Sequence, residues 1–439
     1  MPFAARVLSP PAGLLSPFQT SIPLEPDSAK VSVLVTTVSG MGSRTDRASV
    51  FDPITRTDAR PADHLETSFQ FLNRVGTDFW AQVRELVQEW LDGVPDDSAY
   101  KDLRGRLRTD NAASWSAFLE LYLHEMFRRA GYRVSIHPDI PSGSYHPDFL
   151  VEGHGESFYV EATMPGPSTN GVGRAQRRAA FLDTIQGCQN RNFFLSLDRL
   201  VVGERPARGR RARALIERWL DCLDPDEVSY EHLRREPFRW SEDGWVAEFS
   251  AIPISPEHRG RPDHRAIGVY ADGDVEFIDD APAIQAALST KARKYAGLDR
   301  PLIIALGTHI WDRDLWHSTN ALYGHAAVTW WENADGTRGH AQTRQPDGFF
   351  GVPPSWDNEQ VAAILHVNQL QPHHLHRAEV ALWPHPGSPH RWDGLSKRIP
   401  TATVRPADSA LEISPPVLSA SEHFELPEPW PVGEPFPDE

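Results

Sequence analysis

The feature that most constrains this chain is the alternation of apolar and polar residues over 146–163, which predicts a β-hairpin. The segment Gly-His-Gly-Glu in its middle can form the connecting loop. If Glu152 pairs with Ser157, Asp148 lies directly opposite Glu161 on one face, with Cβ atoms ~4.5–5.5 Å apart. The alternation adds Tyr159 and Thr163 to that face, and places Phe158, Val160 and Ala162 on the other.

Two carboxylates that face each other destabilise a strand pair unless something relieves their repulsion. Full solvation, a shared proton or a bound cation can each do so. A divalent cation is the most effective of the three, and the oxygens of Asp148 and Glu161 suit Mg²⁺ or Mn²⁺. The alternative is a register shifted by one residue, which would send one carboxylate to the opposite face.

The segment before the hairpin predicts an amphipathic helix over 114–130, which ends at Gly131. Glu120 and Glu125 fall on the two borders of its apolar face. A carboxylate on such a border can reach a site at the edge of a sheet. It can equally be a solvated rim residue, and the periodicity does not separate the two interpretations.

Four consecutive predicted elements together resemble the PD-(D/E)XK nuclease superfamily. They are a helix bearing Glu120, a strand, a strand that opens with Pro147-Asp148 and a strand that ends in Glu161-Ala-Thr163. The resemblance covers residues 114–163, with a further helix and strand over 283–307. It implies an α/β fold with a restriction-endonuclease-like αβββαβ core, in which helices flank a mixed sheet. It also implies that Asp148, Glu161 and Glu120 bind Mg²⁺ or Mn²⁺ in a nuclease that cleaves DNA or RNA, with restriction or defence against phage as its setting.

The chain departs from the family pattern at position 163, where the catalytic lysine of the superfamily is replaced by Thr163. Some branches of the superfamily carry this lysine on the helix that follows the third strand. Here that helix is predicted over 283–296, and it bears Lys291 and Lys294, two of only five lysines in the chain. Tyr295 resembles a helix tyrosine of exonuclease-like branches, and its spacing is equally compatible with a core position. The alternative is a solvated helix end, where cations complement the macrodipole.

Arginine clusters interrupt an acidic background of net charge −16, which disfavours long-range attraction to nucleic acid. Guanidinium groups match phosphate geometry, so such clusters can hold a nucleic-acid backbone, or they can simply be solvated. A second hypothesis follows from Thr163 and the net charge: an inactive nuclease-fold module that binds nucleic acid or a partner protein. A homodimer is also compatible with the sequence. The candidate backbone-binding residues are Arg174, Arg177, Arg178, Arg210 and Arg211.

Changes in composition, and prolines and glycines that interrupt regular structure, divide the 439 residues into segments. We predict an N-terminal extension with a strand at 31–38, an insertion that contains two helices and several strands, and a Trp- and His-rich unit with a helix near 359–367. An acidic, Pro-rich tail is expected to be extended or disordered. The predicted boundaries are 1–65 for the extension, 66–170 and 283–310 for the core, 171–282 for the insertion, 311–410 for the C-terminal unit and 411–439 for the tail.

The chain shows no uninterrupted apolar stretch of the ~18 residues that a transmembrane helix needs. Its start lacks the pattern of a secretory signal. Two cysteines, Cys188 and Cys222, are too few to staple a chain of this length or to form a zinc site alone. We therefore expect a cytoplasmic protein that does not interact with membranes.

Overall fold

The structure, a computed structural model, describes residues 47–140, 145–166, 169–228, 237–261, 265–270, 279–295, 297–312, 314–333, 335–390, 398–405, 409–416 and 418–436. The strand predicted at 31–38 lies outside these residues. Among the described helices, none combines the length and the apolarity that crossing a bilayer requires.

The fold is α/β, with a large mixed sheet flanked by helices. The helices are α1 (Ser68–Arg74), α2 (Asp78–Asp92), α3 (Asp97–Leu107), α4 (Asn111–Arg129), α5 (Thr169–Gln186), α6 (Gly209–Asp221), α7 (Ala281–Lys294), α8 (Trp316–Tyr323) and α9 (Ala420–Phe424), with short 3₁₀ helices at Pro256–His258 and Leu375–Arg377. The strands are β1 (Arg133–Ile136), β2 (Phe149–Gly153), β3 (Glu156–Thr163), β4 (Phe193–Val201), β5 (Phe238–Glu242), β6 (Trp245–Pro253), β7 (Ile267–Tyr270), β8 (Leu302–Thr308), β9 (Ala326–Glu332), β10 (Arg338–Arg344), β11 (Gly351–Val352), β12 (Ser355–Trp356), β13 (Val361–Asn368), β14 (Glu379–Pro384), β15 (Thr401–Val404) and β16 (Leu411–Ser414).

Helices α1, α3 and α4 begin where a side chain caps them, whereas Thr77 at the start of α2 makes no such bond. Thr67 and Gln70 form a reciprocal capping box at α1, and Asp96 and Asp110 accept backbone N–H groups at the starts of α3 and α4. The predicted helices before Gly93 and over 114–130 correspond to α1, α2 and α4. Helix α3 was not predicted, because its polar surface gives a weak apolar periodicity.

The main sheet has the order β1-β2-β3-β8-β13-β14-β15-β16 among the described residues. Strands β1, β2 and β3 are antiparallel, whereas β3, β8 and β13 run parallel, so the sheet is mixed. Strand β8 is buried along its whole length, as its continuous apolar sequence predicts. One face packs on α4 and the N-terminal helices, and the other packs on α7 and α8.

The segment between β3 and α7 contributes a second sheet with the order β5-β6-β4-β7 and a core of its own. Helices α5 and α6 pack on this sheet through buried residues such as Phe181 and Ile216. The strand predicted over 267–278 is observed as β7, and residues 271–278 lie outside the described part of the chain. Ala296, the predicted last residue of the α7 helix, also lies outside it.

The helix predicted near 359–367 is wrong, because these residues form strand β13. This strand lies between β8 and β14 and is buried on both faces. Its sequence is therefore apolar from Val361 to Leu365 and does not alternate, and the polar His366 and Asn368 near its end are buried as well. Such a run cannot be distinguished from a buried helix by periodicity alone. Since β13, β14 and β15 extend the main sheet, the predicted boundary at 311 does not separate two sheets.

The prediction of an extended or disordered tail over 411–439 is also wrong for the residues described. Strand β16 pairs with β15, and α9 places Phe424 in the core beside α4. Further along, Trp430 is 9 % exposed and its Nε1 donates to the carbonyl of Pro372 at 3.0 Å. Aromatic anchors therefore hold a segment that its proline and acidic content suggested would be loose.

We expect Trp430→Phe to lower the free energy of unfolding by about 1 kcal/mol, because the Pro372 carbonyl loses its hydrogen-bond donor while the aromatic packing is kept. Denaturant unfolding measures this. The control Trp330→Phe changes an exposed ring on β9 and should stay within about 0.5 kcal/mol of wild type. Equal effects of both changes would contradict a packed C-terminal segment.

Candidate active site

The hairpin has the predicted register. Glu152 pairs with Ser157 and Phe149 with Val160, so Asp148, one residue before β2, lies opposite Glu161. Asp148 Oδ2 accepts a hydrogen bond from the backbone N–H of Ala162 at 2.7 Å. The loop is shorter than predicted, because Gly153 still pairs with Glu156 and only two residues, both with positive φ, make the turn.

Glu161 is buried, with 1 % of its surface exposed, and it is surrounded by donors from one helix. Lys291 Nζ lies 2.5 Å and Lys294 Nζ 3.3 Å from its Oε1, and the hydroxyl of Tyr295 donates to its Oε2 at 2.8 Å. The spacings i, i+3 and i+4 place these three groups on one side of the C-terminal turn of α7 and of the residue after it. The structure thus brings both helix lysines to the hairpin carboxylate.

Tyr295 links Glu161 to the loop that carries Asp148. Its hydroxyl also lies 2.8 Å from the backbone carbonyl of His146, two residues before Asp148. Burial, reinforced by the negative charge of Glu161, raises the pKa of Tyr295, so it stays a neutral hydrogen-bond donor. One side chain therefore fixes both halves of the carboxylate pair.

Asp148 has a strongly perturbed acidity. Burial, followed by the charges of Glu161 and Glu120, raises the pKa of Asp148 to about 7. With this pKa the protonated and ionised forms of Asp148 are both populated near neutral pH, and a bound cation would favour the ionised form. Perturbed carboxyl groups of this kind concentrate at functional sites.

Glu120 lies near this pair, but a guanidinium holds it. Arg106, on α3, donates to both of its oxygens, at 2.8 and 2.5 Å, and also to Asp102 at 2.9 Å. Burial opposes the charge on Arg106, yet the hydrogen bonds that Arg106 donates to Glu120 keep the pKa of Arg106 above its ordinary value. Glu125, on the other border of the helix, is buried and paired with Arg128 and Arg129.

The remaining predicted residues are more peripheral. Thr163 is half-buried at the end of β3, opposite Leu306 of β8. Arg174, Arg177 and Arg178 lie on α5, and Arg210 and Arg211 at the start of α6, where Arg211 contacts Glu242 at 3.1 Å. Among the residues that the structure describes, no hydrogen bond or ion pair connects these arginines with Asp148 or Glu161.

Two contributors were missed from the sequence. Arg106 was not identified as a site residue because its helix, α3, was not predicted. His124, one turn after Glu120 on α4, is 4 % exposed, and its Nδ1 has no hydrogen-bond partner among the described residues. It lines a cavity of about 10 Å³ together with Glu120, His137 and Asp148, with room for about one water molecule. The i, i+4 spacing from Glu120 to His124 places both residues on one face of α4, and it was the sequence signal that could have identified His124.

We expect Tyr295→Phe to lower the free energy of unfolding by about 1–3 kcal/mol, because Glu161 Oε2 and the His146 carbonyl lose the single hydroxyl donor that they share in a buried setting. Denaturant unfolding measures the change, with Tyr270→Phe on β7 as the matched hydroxyl deletion outside the site. A neutral result for Tyr295→Phe would show that neither acceptor depends on this hydroxyl.

Comparison with known proteins adds no assignment: no family model matches the chain, and neither a curated protein nor a solved structure matches it.

Proposed function

We propose that this chain is a metal-dependent phosphodiesterase that hydrolyses DNA or RNA. The observation that carries the proposal is the contact of Lys291 and Lys294 with Glu161, on the carboxylate that lies opposite Asp148. Two opposed acids and a helix-borne lysine pair in one half-buried cluster supply what phosphodiester hydrolysis needs: a place for a cation and positive charge for the phosphate.

The chain order around the cluster supports a PD-(D/E)XK-like core. Helix α4 precedes the antiparallel strands β1, β2 and β3, and after the long segment with its own sheet, α7 leads into β8, which lies parallel beside β3. This is the αβββαβ order that the resemblance implies. The lysines then stand on α7, which takes the place of the helix after the third strand.

A divalent cation fits the carboxylates available. Mg²⁺ in phosphoryl-transfer sites is usually held by one or two carboxylates, with water and substrate phosphate as its other ligands. Asp148 and Glu161 would provide those two, and Asp148 Oδ1 accepts no hydrogen bond from the described residues. When bound, the cation would lower the pKa of an attacking water and polarise the phosphate. Glu120 can join only if it leaves Arg106.

The chain's own cations have distinct tasks in this proposal. Lys291, with the shorter contact, compensates the buried charge of Glu161 and orients it toward Asp148. Lys294, which is 3.3 Å from the same oxygen, can turn to a phosphate oxygen at small cost. Arg106 neutralises Glu120 and leaves Asp148 as the carboxylate with the least compensation.

A cleavage assay tests the proposal. Purified wild type and Asp148→Ala are incubated with single- and double-stranded DNA and RNA, with Mg²⁺ and separately with Mn²⁺. We expect cleavage that requires the metal and disappears in the variant. Activity that survives both EDTA and Asp148→Ala would indicate a different site or a contaminant.

A second candidate function is supported by the same contacts. Both oxygens of Glu161 and both of Glu120 already have cationic or hydroxyl partners, and the described residues contain no group of three or more His, Cys, Asp or Glu side chains arranged for a metal. An inactive module that binds nucleic acid or a partner protein fits this arrangement. Thermal stabilisation by Mn²⁺ that Asp148→Ala abolishes supports the nuclease, and its absence in wild type supports the module.

The biological setting belongs to the same proposal. A nuclease of this kind in the cytoplasm would serve restriction or defence against phage. Plating efficiency of phages on cells that express wild type, compared with Asp148→Ala, tests that role. Equal plating on both strains would argue against defence without affecting the biochemical assignment.

A further inference from the structure

A second cavity, of about 450 Å³, lies at the N-terminal end of α4. Helices α1, α2 and α4 form its walls together with residues 50–69, 371–373 and Phe436. Its volume falls within the range of ~300–1,000 Å³ that is typical of small-molecule sites. Aromatic rings dominate the lining: Phe51, Phe69, Phe71, Trp80, Trp115 and Phe118.

Three polar side chains line this cavity without a hydrogen-bond partner among the described residues. They are the hydroxyl of Ser114, which is 8 % exposed, the amide of Gln371 and the ring nitrogens of His373. Burial lowers the pKa of His373 to about 3, so its imidazole is neutral and offers one donor and one acceptor. A few convergent polar groups on flat aromatic walls are the pattern of a site for a planar, hydrogen-bonding ligand.

The cavity borders the edge of the sheet where the candidate active site lies. Trp115 precedes Glu120 on α4, and its ring centroid is 4.6 Å from that of His309, just after β8. A Cβ placed on Gly307 would lie 3.1 Å from Met164, the residue after β3. Because β3 and β8 are parallel, their carboxyl ends meet at this edge. The aromatic wall lies on the α4 face of the sheet, and the side chain of Glu161 lies on the opposite face, against α7.

The rim also carries charge. Arg265 is exposed, and its Nη2 donates to the carbonyl of Ala62 at 2.6 Å, which holds the guanidinium beside the opening. Glu66 lies on the rim as well, but Arg74 neutralises it through a contact of 2.6 Å. The remaining positive charge matches a phosphate outside the opening.

We propose that this cavity receives an unpaired nucleobase of the substrate strand, stacked on Trp115 with its polar edge toward Ser114, Gln371 and His373. An acyl chain would leave these three groups unsatisfied, whereas a base has donors and acceptors for them. This proposal rests on the nucleic-acid substrate of the proposed function. It makes the protein selective for single-stranded or frayed nucleic acid over blunt duplex.

Binding in a non-cleaving background tests the cavity. Asp148→Asn protein is titrated with a fluorescent single strand, the same strand with abasic sites, and a blunt duplex, with a mononucleotide as competitor. We expect the single strand to bind about tenfold or more tightly than the abasic strand, and Trp115→Ala to remove that difference. Ser114→Leu, which narrows the cavity without deleting a large side chain, should do the same.

Trp330→Ala is the matched control, because this tryptophan is 70 % exposed on β9 and lies outside the cavity. Equal binding of abasic and intact strands, or equal losses for Trp115→Ala and Trp330→Ala, would overturn the proposal. Binding of the mononucleotide alone, with no affinity for strands, would overturn the substrate-strand assignment. Cleavage of blunt duplex that does not depend on Trp115 would support the nuclease and reject the role of the cavity. Trp115-dependent binding of strands without any cleavage would support the role of the cavity and reject the nuclease.

Discussion

Asp148→Asn is expected to abolish metal-dependent cleavage and at the same time to stabilise the fold above pH 7. The two effects have one cause. Asp148 is a half-buried carboxylate beside Glu161 and Glu120, and its charge is unfavourable until a cation compensates it. Asparagine keeps the acceptor for the Ala162 N–H but removes the charge, so the repulsion and the proposed metal ligand disappear together.

The pH dependence has a definite sign. Asp148 titrates at 3.8 when unfolded and at about 7 in the folded protein. The folded state therefore binds this proton more tightly, and its stabilising contribution, complete below pH 3.8, is lost as the pH rises toward 7. Above pH 7 the wild type is less stable than Asp148→Asn by at most about 4 kcal/mol from this group.

Denaturant unfolding at pH 5 and pH 8, without divalent metal, measures the effect. The stability advantage of the variant should grow by about 2–3 kcal/mol between these two pH values. Mn²⁺ should stabilise the wild type more at pH 8 than at pH 5, because the cation competes with the proton, and should not stabilise the variant. Glu152→Gln removes a carboxylate from β2 outside the site and should retain cleavage. A pH-independent difference between wild type and Asp148→Asn would rule out this electrostatic account.

The hairpin could be predicted because its signals are local. Alternation set the faces of β3, and the position of the loop set a register that the structure confirms. Once the register is known, the opposition of Asp148 and Glu161 follows. The lysine helix was also local in its periodicity, but which charged group meets Lys291 depends on how α7 packs against β3, and no spacing along the chain encodes that.

The parts that could not be predicted depend on distant contacts. Arg106 holds Glu120 through a helix whose own surface is mostly polar, so neither the helix nor the pairing was visible beforehand. Residues 361–368 form strand β13 because they pair with β8 and β14. The C-terminal segment is ordered because Trp430 packs in the core and donates a hydrogen bond to the carbonyl of Pro372. In each case tertiary packing decided between structures that the local sequence allowed.

Lys291→Gln should lower kcat for cleavage by about 10²–10³-fold, which is the usual cost of removing one positioned electrostatic group from an active site. Lys291 makes the shorter contact with Glu161, at 2.5 Å against 3.3 Å for Lys294. Lys294→Gln should therefore disturb Glu161 less than Lys291→Gln does. If the side chain of Lys294 contacts the substrate phosphate, a larger share of the activity lost in Lys294→Gln should appear as a higher KM. Single-turnover kinetics with saturating metal separates the two.

Arg293→Gln is the matched control, because Arg293 is an exposed cation between the two lysines. Among the described residues it donates a hydrogen bond only to the Ser289 carbonyl of its own helix. The activity of Arg293→Gln should stay within about twofold of wild type. Thr163→Lys in the Lys291→Gln protein should then restore part of the lost activity, since position 163 shares a sheet face with Glu161 and is where the proposed PD-(D/E)XK resemblance would put the lysine. Full activity of Lys291→Gln, or equal losses in Arg293→Gln, would mean that the ion pair with Glu161 serves the fold and not the reaction.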